Sequence, residues 1–317
     1  MKVRLANKHD VATDICAFEL VSLDGNALPG FSAGAHIDVH LPGGLVRQYS
    51  LCNAPGRTGG VPHYRLGVLR DPASRGGSTG MHALTAGIEL EISEPRNHFP
   101  LADAAKHSIL LAGGIGVTPI LAMAEALAAS GASFEVHYCT REPSRTAFGE
   151  RFAQADLAGK TRIYHDSEGT RADLDAILAQ PSGGKHLYVC GPAGFIDAVL
   201  SRAEAAQWPE GNVHREYFAA PAATDGASDM PFQVKLHSSG RVIDVKAGET
   251  IVAALAAQGV EIQMSCEQGV CGTCLTRVID GTPDHRDVYL TDDERTANDQ
   301  MLPCCSRSKS AMLVLDL

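Results

Sequence analysis

Four cysteines constrain this chain more than any other feature. Cys266, Cys271 and Cys274 lie in the run SCEQGVCGTC with four and then two residues between them, and twenty-nine residues separate Cys274 from Cys304. Three thiolates on one short loop can enclose a small centre only where the backbone runs close to it. Gly269 and Gly272 remove the side chains that would stand in the way. Neighbouring N–H groups can then hydrogen-bond sulfur. The spacing is that of plant-type [2Fe-2S] centres with four thiolate ligands. A structural zinc is the alternative, but zinc sites favour two C-x2-C or Cys/His pairs, and only one short pair stands here. Cys305 adjoins Cys304, and strand-like alternation would turn the two side chains to opposite sides, so the spacing favours Cys304. Cys16, Cys52 and Cys139 have no such company and read as small buried hydrophobes.

At 317 residues the chain exceeds one ordinary domain of ~100–150 residues and has room for two or three. Its 27 basic against 37 acidic residues give a net charge of -10, which argues against nucleic acid as a partner and suits a protein with a basic patch. The first residues, MKVRLANKHDVATD, contain no continuous apolar run of the signal-peptide kind. The longest apolar stretch, 109–123, is broken by glycines, Thr118 and Pro119 and is shorter than the ~20 residues of a membrane-spanning helix. Nine cysteines, an odd and mostly scattered set, suit a reducing compartment better than a disulfide framework. A cytoplasmic protein without a membrane segment is expected.

Periodicity divides the chain into three. Residues 1–102 carry short alternating runs such as HIDVHLP and HYRLGVLR, punctuated by Gly and Pro, which predict a small antiparallel β-barrel. From 103 to 224, apolar strands (SILLAGG, FEVHYCT, TRIYH, HLYVCGP) alternate with Ala/Leu-rich helices, the pattern of a parallel α/β sheet. Residues 219–230, AAPAATDGASDM, are poor in bulky apolar residues and read as a linker into a third domain spanning 225–317. That domain opens with two alternating strands around a Ser-Gly turn. A helix with Ile251, Ala254 and Leu255 on one face follows, stopped at Gly259.

Two further motifs suggest anion binding. In SILLAGGIGVTPILAM a strand meets a glycine turn and then a helix, with Thr118 as the expected N-cap and Pro119 at the first helical position. Such a turn aims N–H groups at a phosphate, although its spacing is not the G-x-G-x-x-G fingerprint. A second turn, Cys190-Gly191-Pro192, ends a later strand of the same expected sheet, so both would face one crevice. In the barrel region, LVRQYSLCNAP places Arg47, Tyr49 and Ser50 on an alternating strand, with RGGS at 75–78 further on. An arginine and a Gly-Gly-Ser loop can hold a phosphate while a tyrosine lies against a flat ring; surface arginines and a flexible loop are the plain alternative.

The order RQYS, GGIGVTP, CGP, EYF (216–218) and C-x4-C-x2-C resembles the phthalate dioxygenase reductase family over essentially the whole chain. The resemblance implies a flavin-binding barrel, an NAD-binding α/β domain and a C-terminal α+β domain of the β-grasp ferredoxin type. It implies FMN rather than FAD, NADH as donor, a [2Fe-2S] cluster, and a separate Rieske oxygenase as acceptor. The aromatic substrate would belong to that oxygenase, with vanillate first and other aromatic acids or aryl ethers behind it. Arg47, Tyr49 and Ser50 would contact the flavin; Val68, Leu69 and Arg70 would line its ring; Gly77 and Ser78 would help hold its phosphate; Phe218 would cover the other face. Gly114, Gly116 and Thr118 would lie along the dinucleotide and Thr140 and Arg141 near its adenosine half. Cys190, with Gly191 and Pro192, would sit near the nicotinamide. Arg141 could also serve a 2′-phosphate, so NADPH stays open beside NADH, and Asp166 transfers as weakly.

The implied reaction needs no essential side-chain acid or base, because the cofactors carry the chemistry. Asp292, Asp293 and Glu294 could steer a basic docking face, or form no more than a solvated turn. No C-x-H pair of the Rieske kind and no 2-His-1-carboxylate motif occurs in the sequence, which assigns oxygen activation elsewhere. Two other readings compete: a free-standing reductase of another acceptor, and a non-enzymatic iron-sulfur carrier.

Overall fold

Alternation along the first strands sets the architecture: Val3 and Leu5 are buried while Lys2 and Arg4 face out. The structure, a computed structural model, describes residues 1–56, 59–218 and 229–317 and divides into two units, Met1–Glu216 and Tyr217–Leu317. The expected joint at 224/225 and most of the expected linker lie outside the described residues.

The first unit begins with β1 (Lys2–Ala12), β2 (Ile15–Ser22), β3 (Ala35–His40), β4 (Val46–Ser50), β5 (Tyr64–Leu69), α1 (Gly77–Ala83), β6 (Glu89–Ile92) and β7 (Arg96–Asn97). All pairings are antiparallel, in the order β4-β3-β6-β1-β2-β5, with β7 on β3. The two ends of this order meet: Leu51 bridges Leu66, and the Cys52 N–H donates to the Arg65 carbonyl at 2.9 Å. The sheet thereby closes around Leu5, Phe18, Leu20, Ile37 and Leu66, which removes open edges.

The same unit continues with β8 (His107–Gly113), α2 (Val117–Ser130), β9 (Phe134–Thr140), α3 (Gly149–Phe152), α4 (Ala155–Ala158) and β10 (Thr161–His165). After these come α5 (Leu174–Leu178), β11 (Lys185–Cys190), α6 (Ala193–Ala205) and β12 (Val213–Glu216). The strands are all parallel, in the order β10-β9-β8-β11-β12. A continuous apolar run suits β8 because it lies at the centre, buried from Ser108 onward. Chain order reverses between β8 and β11, so a crevice opens at their carboxyl ends. Helix α2 starts at Val117, two residues earlier than expected. Thr118 is therefore inside the helix rather than its cap, and its hydroxyl donates back to the Ile115 carbonyl at 3.1 Å.

The second unit contains β13 (Phe232–Leu236), β14 (Val242–Val245), α7 (Ile251–Ala256), β15 (Thr276–Asp280), β16 (Pro283–Asp284), α8 (Asp292–Ala297), β17 (Gln300–Met301), β18 (Arg307–Ser308) and β19 (Met312–Leu315). Five strands run in the order β14-β13-β19-β15-β17, with β13 and β19 parallel and the others antiparallel. Thr250 caps α7 by accepting from the Ala253 N–H at 3.2 Å. The helix buries Ile251, Ala254 and Leu255 with Val234, Ile243, Val245 and Leu313; each large aliphatic side chain so buried contributes roughly 1.5–3 kcal/mol. The residues after the expected linker are tied down, since the Asp229 carboxylate meets Arg286 at 2.7 Å and Arg307 at 3.4 Å. The acidic run 292–294 forms the first turn of α8. Glu294 and Thr291 form its capping box.

Candidate functional site

The four expected ligand cysteines are all buried, between 3 and 7% exposed. Cys266 lies against Cys271 and Cys304, and Cys304 in turn against Cys274. This crowding holds the Cys266 thiol well below its ordinary range and pushes Cys304 far above it. Four sulfurs packed so closely are an arrangement for thiolates sharing positive charge. Backbone donors already point at them: Gln268 N–H at Cys266 Sγ, 3.3 Å, and Thr273 N–H at Cys271 Sγ, 3.5 Å. Cys304 and Cys305 lie in a turn, not a strand, with the N–H groups of Cys305 and Ser306 both donating to the Leu302 carbonyl. Cys304 is the one that reaches Cys266 and Cys274; the Cys305 thiol instead lies 3.7 Å from the Leu302 carbonyl oxygen. The donor set fits a [2Fe-2S] cluster.

Gly269 and Gly272 both hold positive φ, 69° and 71°. A Cβ on Gly272 would fall within the Tyr289 ring, and one on Gly269 would collide with Cys305 Sγ and lie 2.9 Å from the Asp287 Cα. These glycines admit the 285–290 segment as well as freeing the inside of the loop.

In the first unit the two glycine turns abut. A Cβ on Gly116 would overlap the carbonyl of Cys190, and one on Gly191 would lie 3.0 Å from the Gly113 Cα. Gly114 has φ +52° and open space where a side chain would go. Thr140 is buried, its hydroxyl donating to the Glu142 carbonyl at 3.3 Å, while Arg141 is exposed at the end of β9. Asp166 follows β10 and pairs with Arg171 at 3.4 Å. All of these lie at the carboxyl ends of the parallel strands. Pro192 is exposed and precedes α6.

The barrel motifs also come together. The Arg47 stem lies across Gly77, where a Cβ would be 2.8 Å from its Cγ, so RQYS and RGGS share one place. Ser78 Oγ accepts from the Asp71 N–H at 3.0 Å. Burial pushes the Tyr49 phenol up, against the opposing pull of Arg47. Val68 is buried with its carbonyl held by His82 Nε2 at 2.9 Å; Leu69 is half-buried and Arg70 exposed. A Cβ on Gly67 would lie 2.7 Å from the Thr118 methyl, so strand β5 runs directly against the start of α2. Phe218 is exposed and belongs to the second unit.

Glu216 adds a functional group to this site. The first residue of EYF, it ends β12 in register with Cys190, and the Ser50 hydroxyl of β4 donates to its Oε2 at 3.4 Å. Desolvation pushes its carboxyl up to about 8, with Ser50 pulling the other way. Cys190 is raised well above a free thiol, first by burial and then by the Glu216 charge. Nothing local marks Glu216, because its neighbours come from β4 and β11.

Residues 234–309 match the family described as a 2Fe-2S iron-sulfur cluster binding domain. Residues 93–213 match the N-terminal domain of the dimethylamine monooxygenase subunit DmmA-like family. The chain is 53% identical over 310 residues to a vanillate O-demethylase oxidoreductase of Pseudomonas sp. (strain HR199 / DSM 7063), covering 97% of this chain and 96% of the relative. It is 40% identical over 321 residues to a phthalate dioxygenase reductase of Burkholderia cepacia, covering 100% and 97%. A solved phthalate dioxygenase reductase, described as a modular structure for electron transfer from pyridine nucleotides to [2Fe-2S], superposes with a TM-score of 0.78. It is 39% identical, with 100% of this chain and 98% of that one covered.

Proposed function

Because the chain belongs to the phthalate dioxygenase reductase family and is an electron-transfer reductase for an oxygenase component, we propose that it binds FMN in its barrel and oxidises NADH in the crevice of its parallel sheet. Its acceptor is then a Rieske-type oxygenase, reached through the C-terminal cluster, whose substrate is an aromatic acid or aryl ether such as vanillate. The three functional regions are 1–102, 103–224 and 225–317.

The observation that carries this reading is the meeting of Ser50, Cys190 and Glu216. It joins the motif assigned to the flavin with the turn assigned to the nicotinamide, across 166 positions of sequence. When bound, the flavin accepts two electrons from the nicotinamide and the cluster takes them one at a time. The chain's own task is positioning. Arg47 and Ser78 hold the flavin phosphate, Tyr49 packs on the ring, and Val68, Leu69 and Arg70 form the wall beside it. Gly114 and Gly116 let the dinucleotide approach the backbone at the switch point, with Thr118 beside them. Glu216, pushed up to about 8, holds a proton near neutral pH beside the Ser50 hydroxyl. Asp166 at the end of β10 suits a free ribose hydroxyl and opposes a 2′-phosphate, which favours NADH.

Anaerobic titration of the purified protein with NADH tests this. Flavin and cluster absorption should both bleach, and NADPH should act more weakly. With a purified oxygenase and its aromatic substrate, NADH consumption should require both proteins. A preparation with no flavin band would replace the reductase with an iron-sulfur carrier; vigorous turnover on a quinone or cytochrome without any oxygenase would favour the free-standing reductase.

A further inference from the structure

The second unit contains a carboxylate that the electron-transfer scheme does not use. Asp287 has a side chain at 0% exposure, within the run HRDVYL. Its Oδ2 accepts from the N–H groups of Tyr289, 3.1 Å, and Leu290, 2.8 Å. Its Oδ1 accepts from the Ser306 hydroxyl at 3.4 Å and lies 3.7 Å from His285 Nδ1. Ser306 Oγ in turn accepts from the Arg286 N–H at 3.2 Å. Arg295 of α8 donates to the Asp287 carbonyl at 2.7 Å and lies 3.9 Å from the carboxylate.

These bonds connect both stretches that carry the cysteine ligands. Val288 N–H donates to the Gly269 carbonyl at 3.0 Å, in the middle of the Cys266–Cys271 loop. Asp287 itself packs on Gly269, and Tyr289 on Gly272. Ser306 is two residues beyond Cys304. A single buried side chain therefore holds a strap across the three-cysteine loop and fastens that strap to the turn of the fourth cysteine. An apolar residue here would leave the Tyr289 and Leu290 N–H groups and the Ser306 hydroxyl without this acceptor.

We propose that Asp287 is a positioning residue for the [2Fe-2S] cluster, bracing its two ligand segments together and setting its reduction potential through a negative charge partly balanced by Arg295. The proposal rests on the cluster reading given above. The potential of a cluster depends on nearby charge, hydrogen bonding and exposure, and partners behind the ligands hold their geometry. Asp287→Asn keeps the shape and removes the charge, so electrons enter more easily and the midpoint potential rises. Arg295→Gln, on a partly exposed helix, removes the balancing charge, so the potential falls. Ser306→Ala loosens the brace without changing charge.

The test is a redox titration followed by the cluster's EPR signal, with iron release to a chelator measured in parallel on the full-length protein. Expected are shifts of opposite sign for Asp287→Asn and Arg295→Gln. Iron release should be several-fold faster for Asp287→Asn and Ser306→Ala, and unchanged for Arg295→Gln. If Asp287→Asn does not accumulate, a lowered potential in Arg295→Gln together with faster iron release from Ser306→Ala supports the assignment. Wild-type potential and iron retention in those two variants overturn it. Iron and sulfide content of the wild-type protein checks the cluster reading separately: a chain without them sinks that reading, whereas a loaded chain with unmoved potentials sinks only the role of Asp287.

Discussion

The two units gather their candidate cofactor residues in opposite ways. In the second, four sulfurs come from one stretch, 266–304, and the loop and turn that hold them are short and hydrogen-bonded locally. In the first, Ser50, Cys190 and Glu216 come from three elements, and sheet order rather than spacing brings them together. The difference follows from what is bound. A small cluster demands four sulfurs at fixed distances, which forces ligand spacing onto a loop. A flat ring and a dinucleotide demand surfaces, which separate strands can supply from anywhere in the chain.

The largest expected effect separates the two regions outright. Cys274→Ser removes one ligand from the local set, so iron and sulfide should be lost and electron delivery to the oxygenase should fall by more than about 100-fold. NADH should still bleach the flavin at the wild-type rate in stopped-flow measurements. A folded variant that lost flavin reduction as well would show that the two regions are not independent.

Gly116→Ala attacks the assembled site instead. Its methyl would overlap the Cys190 carbonyl, and overpacking of that kind costs about 1–3 kcal/mol. Misplacing reacting rings slows transfer steeply, so flavin reduction by NADH should drop roughly 10-fold or more. The iron content and cluster spectrum should not change. An unaltered NADH rate would mean that the abutting turns do not position the nicotinamide.

What could be read in advance follows the same division. The cysteine spacing marked Cys266, Cys271, Cys274 and Cys304, and strand and helix periods marked both sheets, because these signals are local. The Thr118 cap was misplaced because the short helical turn Gly114–Gly116 starts the helical geometry early. The second reason for Gly269 and Gly272, contact with Asp287 and Tyr289, was invisible because those partners arrive from another segment. Glu216 was overlooked for the same reason: its ordinary sequence context gives no hint of Ser50 or of desolvation.

Acidity offers a smaller and more selective probe of the assembled region. The Glu216 carboxyl, pushed up to about 8, keeps its proton in the folded chain after the unfolded chain has released it. Its contribution is complete below the ordinary carboxyl range near 4.5 and is lost as pH rises through about 8. Denaturation of the first unit between pH 5 and 9 should therefore show stability falling with pH, and Glu216→Gln, with no proton to lose, should flatten that slope. Equal slopes in the two proteins would remove Glu216 from the account of the site.

The smallest effect concerns charge at the surface of the second unit. Asp292 is 96% exposed at its side chain, whereas Glu294 is committed to the Thr291 capping box. The acidic run thus contains Glu294, which folds α8, Asp292, which is exposed and paired with Arg295 at 3.5 Å, and Asp293 beside it. Asp292→Asn combined with Asp293→Asn should slow reduction of the oxygenase about 2–3-fold at low ionic strength, and the difference should vanish at high salt, where screening shortens the reach of exposed charge. Thr291→Ala should instead cost about 1 kcal/mol through the lost cap, and its effect should not depend on salt. If the double variant matched wild type at every ionic strength, docking would have to rely on other surfaces and the run would be structural throughout.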